Sequence, residues 1–358
     1  MAGVRAAGVR LLAGVLLGLG AGGLLVLVRP DLVGLAGTEP VAQLVALRGV
    51  QALALAAGTL VLAAVGGVLL RAARGTDGRT RARRRRGATV VLACAAVLGL
   101  AAAGHVAVLA ARGVDGSGPG ERAEADLVVL SFNTFDAVTA AEIAELVAAQ
   151  DADVAVLPET SGDTARAAAR ALTSSGRPTT ALAADAAGTR VEGTALLVRA
   201  GLGAFDQVTE GLPATDLGTF AAVPAVAGSG DVTAPTAPTL VAAHLRAPSA
   251  RASMPEWRAH TAAIAAVCGD APGVVVAGDL NATLDHPGLR DLGPCVDAAE
   301  QAGAAGLGTW PAQAPPALGA PIDHVLVDGR AWRVTGFAVL RGVGGGAPRP
   351  GVAPPARR

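Results

Sequence analysis

Val274-Val-Val-Ala-Gly-Asp-Leu-Asn-Ala-Thr-Leu-Asp-His-Pro287 is the stretch on which the fold of this chain turns. Three β-branched residues precede Ala277 and Gly278, and then Asp279 and Asn281 stand two residues apart. A buried strand that ends on glycine fixes a position, and the loop after it exposes polar groups there. Alternate residues of an extended chain point the same way, so Asp279 and Asn281 can address one metal ion or one phosphate. By itself, Asp-x-Asn reads equally as a capped turn.

Asparagine is scarce, which weighs on that choice. The chain has two, Asn133 and Asn281, and each follows a β-like run. The basic residues are all arginine, tyrosine is absent, and Ala and Gly abound, so alanine is a weak structural witness. At 358 residues there is room for two domains. Charge divides the same way as composition. Residues 1–120 carry 13 arginines against 4 acids, whereas residues 121–358 carry 16 against 25, a formal −9. An acidic domain is a poor partner for nucleic acid, whose affinity comes mainly from neutralised phosphates.

The first 112 residues read as a membrane domain with three transmembrane helices, at about 11–28, 49–70 and 88–111. Each apolar run is long enough to cross a hydrocarbon core of ~30 Å. Two further runs follow the first, which argues against a cleaved signal peptide. Arg71–Arg86 holds eight arginines and reads as a cytoplasmic loop between spans. The positive-inside rule then puts the N-terminus in the cytoplasm and everything after Arg112 on the far side. His105 falls near the outer end of the third run, an interfacial position. Cys94 reads as a small apolar residue. Cys268 and Cys295 flank the opening stretch and are a candidate disulfide in an oxidising compartment.

Residues 113–125 form a Gly-rich polar linker. Leu127–Phe132 reads as a buried strand delivering Asn133, Ala137–Gln150 as a helix with one packed face, and Asp151–Pro158 as a second strand with Glu159 at its tip. A strand–helix–strand unit implies a parallel pair, so Asn133 and Glu159 emerge at one edge. Oxygen ligands from separate strands suit a hard divalent cation. Helices are expected over 161–172 and 256–267, and strands over 194–198 and 239–243, the second ending on His244. Pro321–Val327 is a further strand, with Asp323 and His324 at its start.

The ordered series Ser-Phe-Asn133, Val-Leu-Pro-Glu159, Ala-Ala-His244-Leu, Gly-Asp279-Leu-Asn281 and Ile-Asp323-His324 resembles the endonuclease/exonuclease/phosphatase superfamily. Each motif is weak alone, and five in order over 127–327 are specific. With its leading spans, the chain looks most like actinobacterial membrane phosphoesterases related to the teicoplanin-resistance membrane protein. The resemblance implies an α/β fold, a four-layer α/β/β/α sandwich over 126–342, with Mg²⁺ or Mn²⁺ at one edge. It implies Asn133 and Glu159 as metal ligands, Asp279 as the group that orients or deprotonates water, and Asn281 and His244 as phosphate-binding residues. Asp323 would orient a catalytic histidine further along, and His324 is a secondary candidate.

The sequence departs from that family at its end. The closing Ser-Asp-His is absent, and Ala347 and Pro348 stand where Asp and His are expected. Prolines 348 and 350 argue against a central strand there, and residues 343–358 are expected to be a disordered tail. The implied function is a membrane-anchored, extracytoplasmic phosphoesterase, acting on a lipid-linked substrate such as a polyprenyl pyrophosphate. The alternatives are an extracytoplasmic nuclease of the same fold, or a catalytically weakened binding or scaffold member.

Overall fold

The structure is a computed structural model that describes residues 20, 22–115, 118, 125–225, 237–340 and 347–358. The chain forms two compact units. The first, residues 1–36 and 47–109, contains α2 (Arg48–Ala72) and most of α3 (Gly78–Arg112). Both helices are long and apolar enough to cross a membrane. Residues 22–28 are helical, and the rest of the first expected span lies outside the described residues. Of the arginine run expected as a loop, only residues 73–77 connect the two helices without being helical. Gly78–Arg86 forms the first turns of α3, because arginine is a good helix former and no proline interrupts it. His105 is buried, and its Nδ1 lies 3.2 Å from the Arg48 guanidinium.

The second unit comprises residues 37–46 and 110–358. Gly37–Ala46, expected with the membrane part, therefore belongs to the globular part; it includes α1 (Val41–Ala46), whose Ala42 is buried in a globular apolar layer. The first sheet contains β1 (Val129–Ser131), β2 (Val154–Pro158), β3 (Thr179–Ala184), β4 (Thr194–Arg199), β12 (Ala338–Val339) and β13 (Gly351–Ala353), in the order β12-β13-β1-β2-β4-β3. The second contains β5 (Phe205–Val208), β6 (Phe220–Pro224), β7 (Leu240–His244), β8 (Val275–Asp279), β9 (Cys295–Asp297) and β10 (Asp323–Asp328), in the order β5-β6-β7-β8-β10-β9. Strands β11 (Trp332–Val334) and β14 (Pro355–Arg357) form a small antiparallel pair.

Three apolar layers organise these strands. Val129, Val154, Leu196 and Val198 of the first sheet meet Phe220, Leu240, Val275 and Val325 of the second in a common core. Helices α4 (Ala140–Ala149) and α5 (Gly162–Ser174) cover the outer face of the first sheet through Ile143, Val147 and Leu172. Helix α6 (Met254–Asp270) covers the second sheet through Trp257 and Ile264. The helix starts follow local chemistry: Thr139 and Glu142 form a capping box on α4, and Ser161 caps α5. Strands β1 and β2 are parallel, as are β7 and β8, so all four end at one edge of the sandwich.

Of the tail expected to be disordered over 343–358, residues 347–358 are folded, and the rest lies outside the described residues. Strand β13 begins directly after Pro350 and pairs antiparallel with β1, in the second position of its sheet. Prolines 348 and 350 precede the ladder and so remove none of its donors, and the Pro350 carbonyl accepts from Leu340 N–H. The candidate disulfide is within bonding range, with the Cys268 and Cys295 Cα atoms 5.4 Å apart, tying α6 to edge strand β9.

Asp328 fastens the far end of β10. It accepts from Gly273 N–H at 2.7 Å and from the Arg330 backbone and guanidinium. Burial raises its carboxyl, but the Arg330 and backbone hydrogen bonds outweigh it and lower the pKa from 3.8 to about 2. A carboxyl depressed by folding stabilises above its unfolded value, and that contribution fades as pH falls from about 4 to about 2. Asp328→Asn should therefore flatten acid unfolding in that window, with about 1–2 kcal/mol lost at neutral pH, as read from denaturant titrations at stepped pH.

Candidate active site

The ends of β1, β2, β7, β8 and β10 bring six of the seven sequence candidates to one edge. Asn133 follows β1, Glu159 follows β2, His244 ends β7, Asp279 ends β8, Asn281 lies just beyond it, and Asp323 opens β10 opposite Asp279. His244 is likewise the register partner of Asp279 on the other side. Glu159 and Asn281 both hold positive φ, +53° and +46°. Such backbone is uncommon for a non-glycine residue and ends each strand abruptly.

Gly278 makes this approach of strands feasible. Its φ is +143°, and a Cβ there would stand 1.8 Å from the Ala243 carbonyl oxygen on β7. Only a residue without a Cβ lets β8 deliver Asp279 so close to His244.

Asn133 spaces the carboxylates. Its amide nitrogen donates to Glu159 Oε1 at 2.7 Å and to Asp279 Oδ2 at 3.2 Å, linking the two sheets. Its amide oxygen accepts from Phe135 N–H at 2.8 Å, in a turn where Phe135 and Asp136 both hold positive φ. The nitrogen thus faces the acids, whereas the expectation had Asn133 presenting oxygen to a metal. The turn's need for an acceptor at Phe135 sets that orientation.

Asn281 is also held locally. Its N–H donates to Asp279 Oδ1 at 2.8 Å, its amide nitrogen donates to Leu245 O at 2.8 Å, and its carbonyl accepts from Trp257 Nε1 at 2.9 Å. His244 is buried, with Nε2 3.9 Å from Glu159 Oε1 and Nδ1 without a hydrogen-bond partner among the described residues. Burial lowers its pKa to about 4, so the imidazole is neutral at pH 7 and carries one N–H donor. Sequence reasoning missed Thr219, whose hydroxyl accepts from His244 N–H at 2.9 Å and donates to His244 O at 3.0 Å. A threonine in a Gly/Thr turn outside every motif carried no signal.

The seventh candidate does not join the site. The His324 ring turns into the core, with Nδ1 2.7 Å from Asp297 Oδ2 and Nε2 2.9 Å from Ala282 O. Burial lowers its pKa, but the Asp297 hydrogen bond and charge outweigh that and raise it. Consecutive residues of a strand face opposite ways, which separates His324 from Asp323.

Three acids crowd the edge. Burial raises the Glu159 carboxyl, with Asp136 adding to it and Asn133 opposing. Burial and the Asp323 charge push Asp279 well above its ordinary value, against the hydrogen bonds from Asn281 and Asn133. Asp323 is raised by burial as well, and neither of its carboxyl oxygens has a hydrogen-bond partner among the described residues. The Thr309 hydroxyl accepts from Asp323 N–H at 3.3 Å and opposes the rise in its carboxyl. Ala347 and Pro348 bring no side-chain donor, and the nearby Arg349 guanidinium donates to the carbonyls of 311, 312 and 314.

Among the described residues, no three of His, Cys, Asp and Glu converge as a ready-made metal cage. The donor set still fits a hard cation of the Mg²⁺ kind, which takes one or two carboxylates and keeps several waters. Glu159 and Asp279 supply the oxygens, and their mutual repulsion would be relieved by positive charge.

Residues 130–346, more than half of the chain, match the Endonuclease/Exonuclease/phosphatase family model. The chain belongs to that family, whose members are typically hydrolases of phosphate esters and generally use divalent metals. Among solved structures it is similar to an endonuclease/exonuclease/phosphatase from Beutenbergia cavernae DSM 12333, at 21% identity over 65% of this chain and 72% of that one, with a TM-score of 0.48. It is similar to a variant of the 3′ phosphatase NExo from Neisseria bound to a product DNA hairpin, at 16% identity over 63% and 98%, with a TM-score of 0.44. It is also similar to the human Nocturnin catalytic domain with bound sulfate, at 14% identity over 67% and 100%, with a TM-score of 0.45. No curated protein sequence matches it.

Gly278→Ala should lower stability by about 3 kcal/mol or more, because both the positive φ and the Ala243 carbonyl oppose a Cβ. Urea unfolding of the variant would show it, and a loss below about 0.5 kcal/mol would mean that β7 and β8 can separate freely.

Proposed function

We propose that the chain is a membrane-anchored phosphoesterase with its site outside the cytoplasm, acting on a lipid-linked phosphate ester such as a polyprenyl pyrophosphate. The observation that carries the hydrolytic reading is the Asn133 bridge. It sets Glu159 and Asp279 side by side at an edge that His244 also reaches. A bound Mg²⁺ or Mn²⁺, held by Glu159 with Asp279 beside it, would polarise the phosphoryl oxygens. Asp279, raised by burial, is an acceptor for the proton of an attacking water. Neutral His244 offers one N–H to a phosphoryl oxygen whose charge grows in the transition state. Asn281 keeps Asp279 oriented through its backbone N–H and lines the same loop.

The anchoring part of the proposal is supported by two apolar helices, α2 and α3. Arginines crowd one end of α3, and the acid-rich domain follows the other, the polarity that the positive-inside rule requires. The Cys268–Cys295 pair fits an oxidising compartment. A −9 domain on a tether favours a small or lipid-borne phosphate over a long nucleic acid. A relationship to the teicoplanin-resistance membrane proteins belongs to this same reading.

A second reading is favoured by Asp323. Its carboxyl is buried without a partner among the described residues, and the residues that could have brought a histidine to it are Ala347 and Pro348. Turnover is then slow, and the domain serves chiefly to bind its phosphate ester.

The two readings separate in one assay of the full chain in detergent, measuring phosphate release from undecaprenyl pyrophosphate with Mg²⁺ or Mn²⁺. Hydrolysis should be detectable and should fall on the order of 10²-fold in Asp279→Ala. Glu159→Ala should also abolish metal binding in calorimetry. Equal rates for wild type and Asp279→Ala would reject the hydrolytic reading, and metal binding without turnover would establish the binding one.

A further inference from the structure

The family match covers residues 130–346, yet the loop that bears Asp279 and Asn281 is fastened to chain outside it. Two consecutive residues of that loop make the attachments. Asp285 takes the Arg112 guanidinium in a two-pronged ion pair, with Nη1 2.7 Å from Oδ2 and Nη2 2.8 Å from Oδ1. Its carboxyl is almost wholly buried. His286 Nδ1 accepts from Thr283 N–H at 2.7 Å, which places the ring proton on Nε2. That N–H donates to the Ala42 carbonyl at 2.9 Å, from a residue 244 positions earlier.

The attachment continues into the site. The His286 ring stands edge-on to Trp257, with centroids 4.8 Å apart and planes at 83°. Trp257 Nε1–H in turn donates to the Asn281 carbonyl. Both gripped segments are themselves pinned to the domain. Arg258 Nη1 donates to Gly37 O at 2.7 Å and Gln43 Nε2 to Pro248 O at 2.5 Å. Ala305 N–H and Gly306 N–H donate to the Arg112 and Gly113 carbonyls. A buried ion pair adds little net stability but holds geometry, and breaking one side leaves the other charge stranded.

We propose that Asp285 and His286 are positioning residues for the site. By gripping Arg112 and the Ala42 carbonyl, they hold the loop of Asp279 and Asn281 in register, so the site is complete only when residues 37–46 and 110–113 are in place. Only the metal and turnover measurements below rest on the phosphoesterase reading; the structural coupling stands apart from it.

The test uses the full chain in detergent and follows amide hydrogen exchange, Mn²⁺ affinity by calorimetry, and phosphate release. His286→Phe keeps the ring and its contact with Trp257 while removing both hydrogen bonds. It should speed exchange on the order of tenfold in both 279–286 and 37–46, leave β2 and β4 unchanged, and weaken Mn²⁺ binding severalfold. Arg258→Gln acts from the other side; it should speed exchange in 37–46 and carry that change into 279–286. Asp285→Asn should loosen 110–113 together with 279–286. Faster exchange confined to 279–286, or spread over the whole domain, overturns the coupling. Faster exchange in both segments with unaltered Mn²⁺ affinity and turnover overturns the positioning role. If the wild-type chain neither binds Mn²⁺ nor releases phosphate, the phosphoesterase reading fails while the exchange measurements still decide the coupling.

Discussion

Where the two sheets part at their common edge, one amide stands between two acids. Asn133 reaches from the first sheet to Glu159 on its own side and to Asp279 on the other. The apolar core between the sheets fixes how far apart those carboxylates can be, and burial raises both. Without the amide, two desolvated acids would face each other with nothing to share their lone pairs, a costly arrangement in a low-dielectric edge. The backbone serves this constraint on each side. Glu159 and Asn281 end their strands at positive φ, and Gly278 admits β7 to contact distance.

The same edge leaves one acid apart from the others. Asn133, Glu159, His244 and Asp279 converge, while Asp323 lies across from Asp279 with no hydrogen-bond partner among the described residues. A buried acid of that kind normally has a donor to steady it. Ala347 and Pro348 carry no side-chain donor, and the arginine that follows them is committed to three loop carbonyls. His324, adjacent in sequence, serves Asp297 in the core instead. The site therefore holds acids and one neutral imidazole, without an ion pair to set a second histidine.

Packing also reallocates chain between the two units. Gly37–Ala46 lies between apolar stretches in sequence, yet its Ala42 is buried with α6 and its carbonyl is held by His286. The last residues, rich in proline and arginine, enter the first sheet as β13, between β12 and β1, and pair with β11 as β14. In sequence the first reads with the membrane part and the second as a tail, because each lies beside stretches of that character. Their order comes from partners far away in the sequence.

The sequence by itself determined the α/β class, the parallel β1–β2 unit, and the arrival of Asn133, Glu159, His244, Asp279 and Asp323 at strand ends. These are local properties: an apolar run with a polar residue at its tip. Of the three apolar spans it marked, two are long apolar helices among the described residues, because length and hydropathy need no partner to be read. Weakly patterned strands such as β3, β5 and β6 were illegible, since short or alanine-rich segments carry no clear alternation. Only the tertiary structure decided that Asn133 faces the acids with nitrogen, that His324 turns to the core, and that 37–46 and the C-terminal residues are part of the domain. Each of those outcomes depends on which distant group completes a hydrogen bond or fills a layer, and no stretch of sequence contains both halves of such a contact.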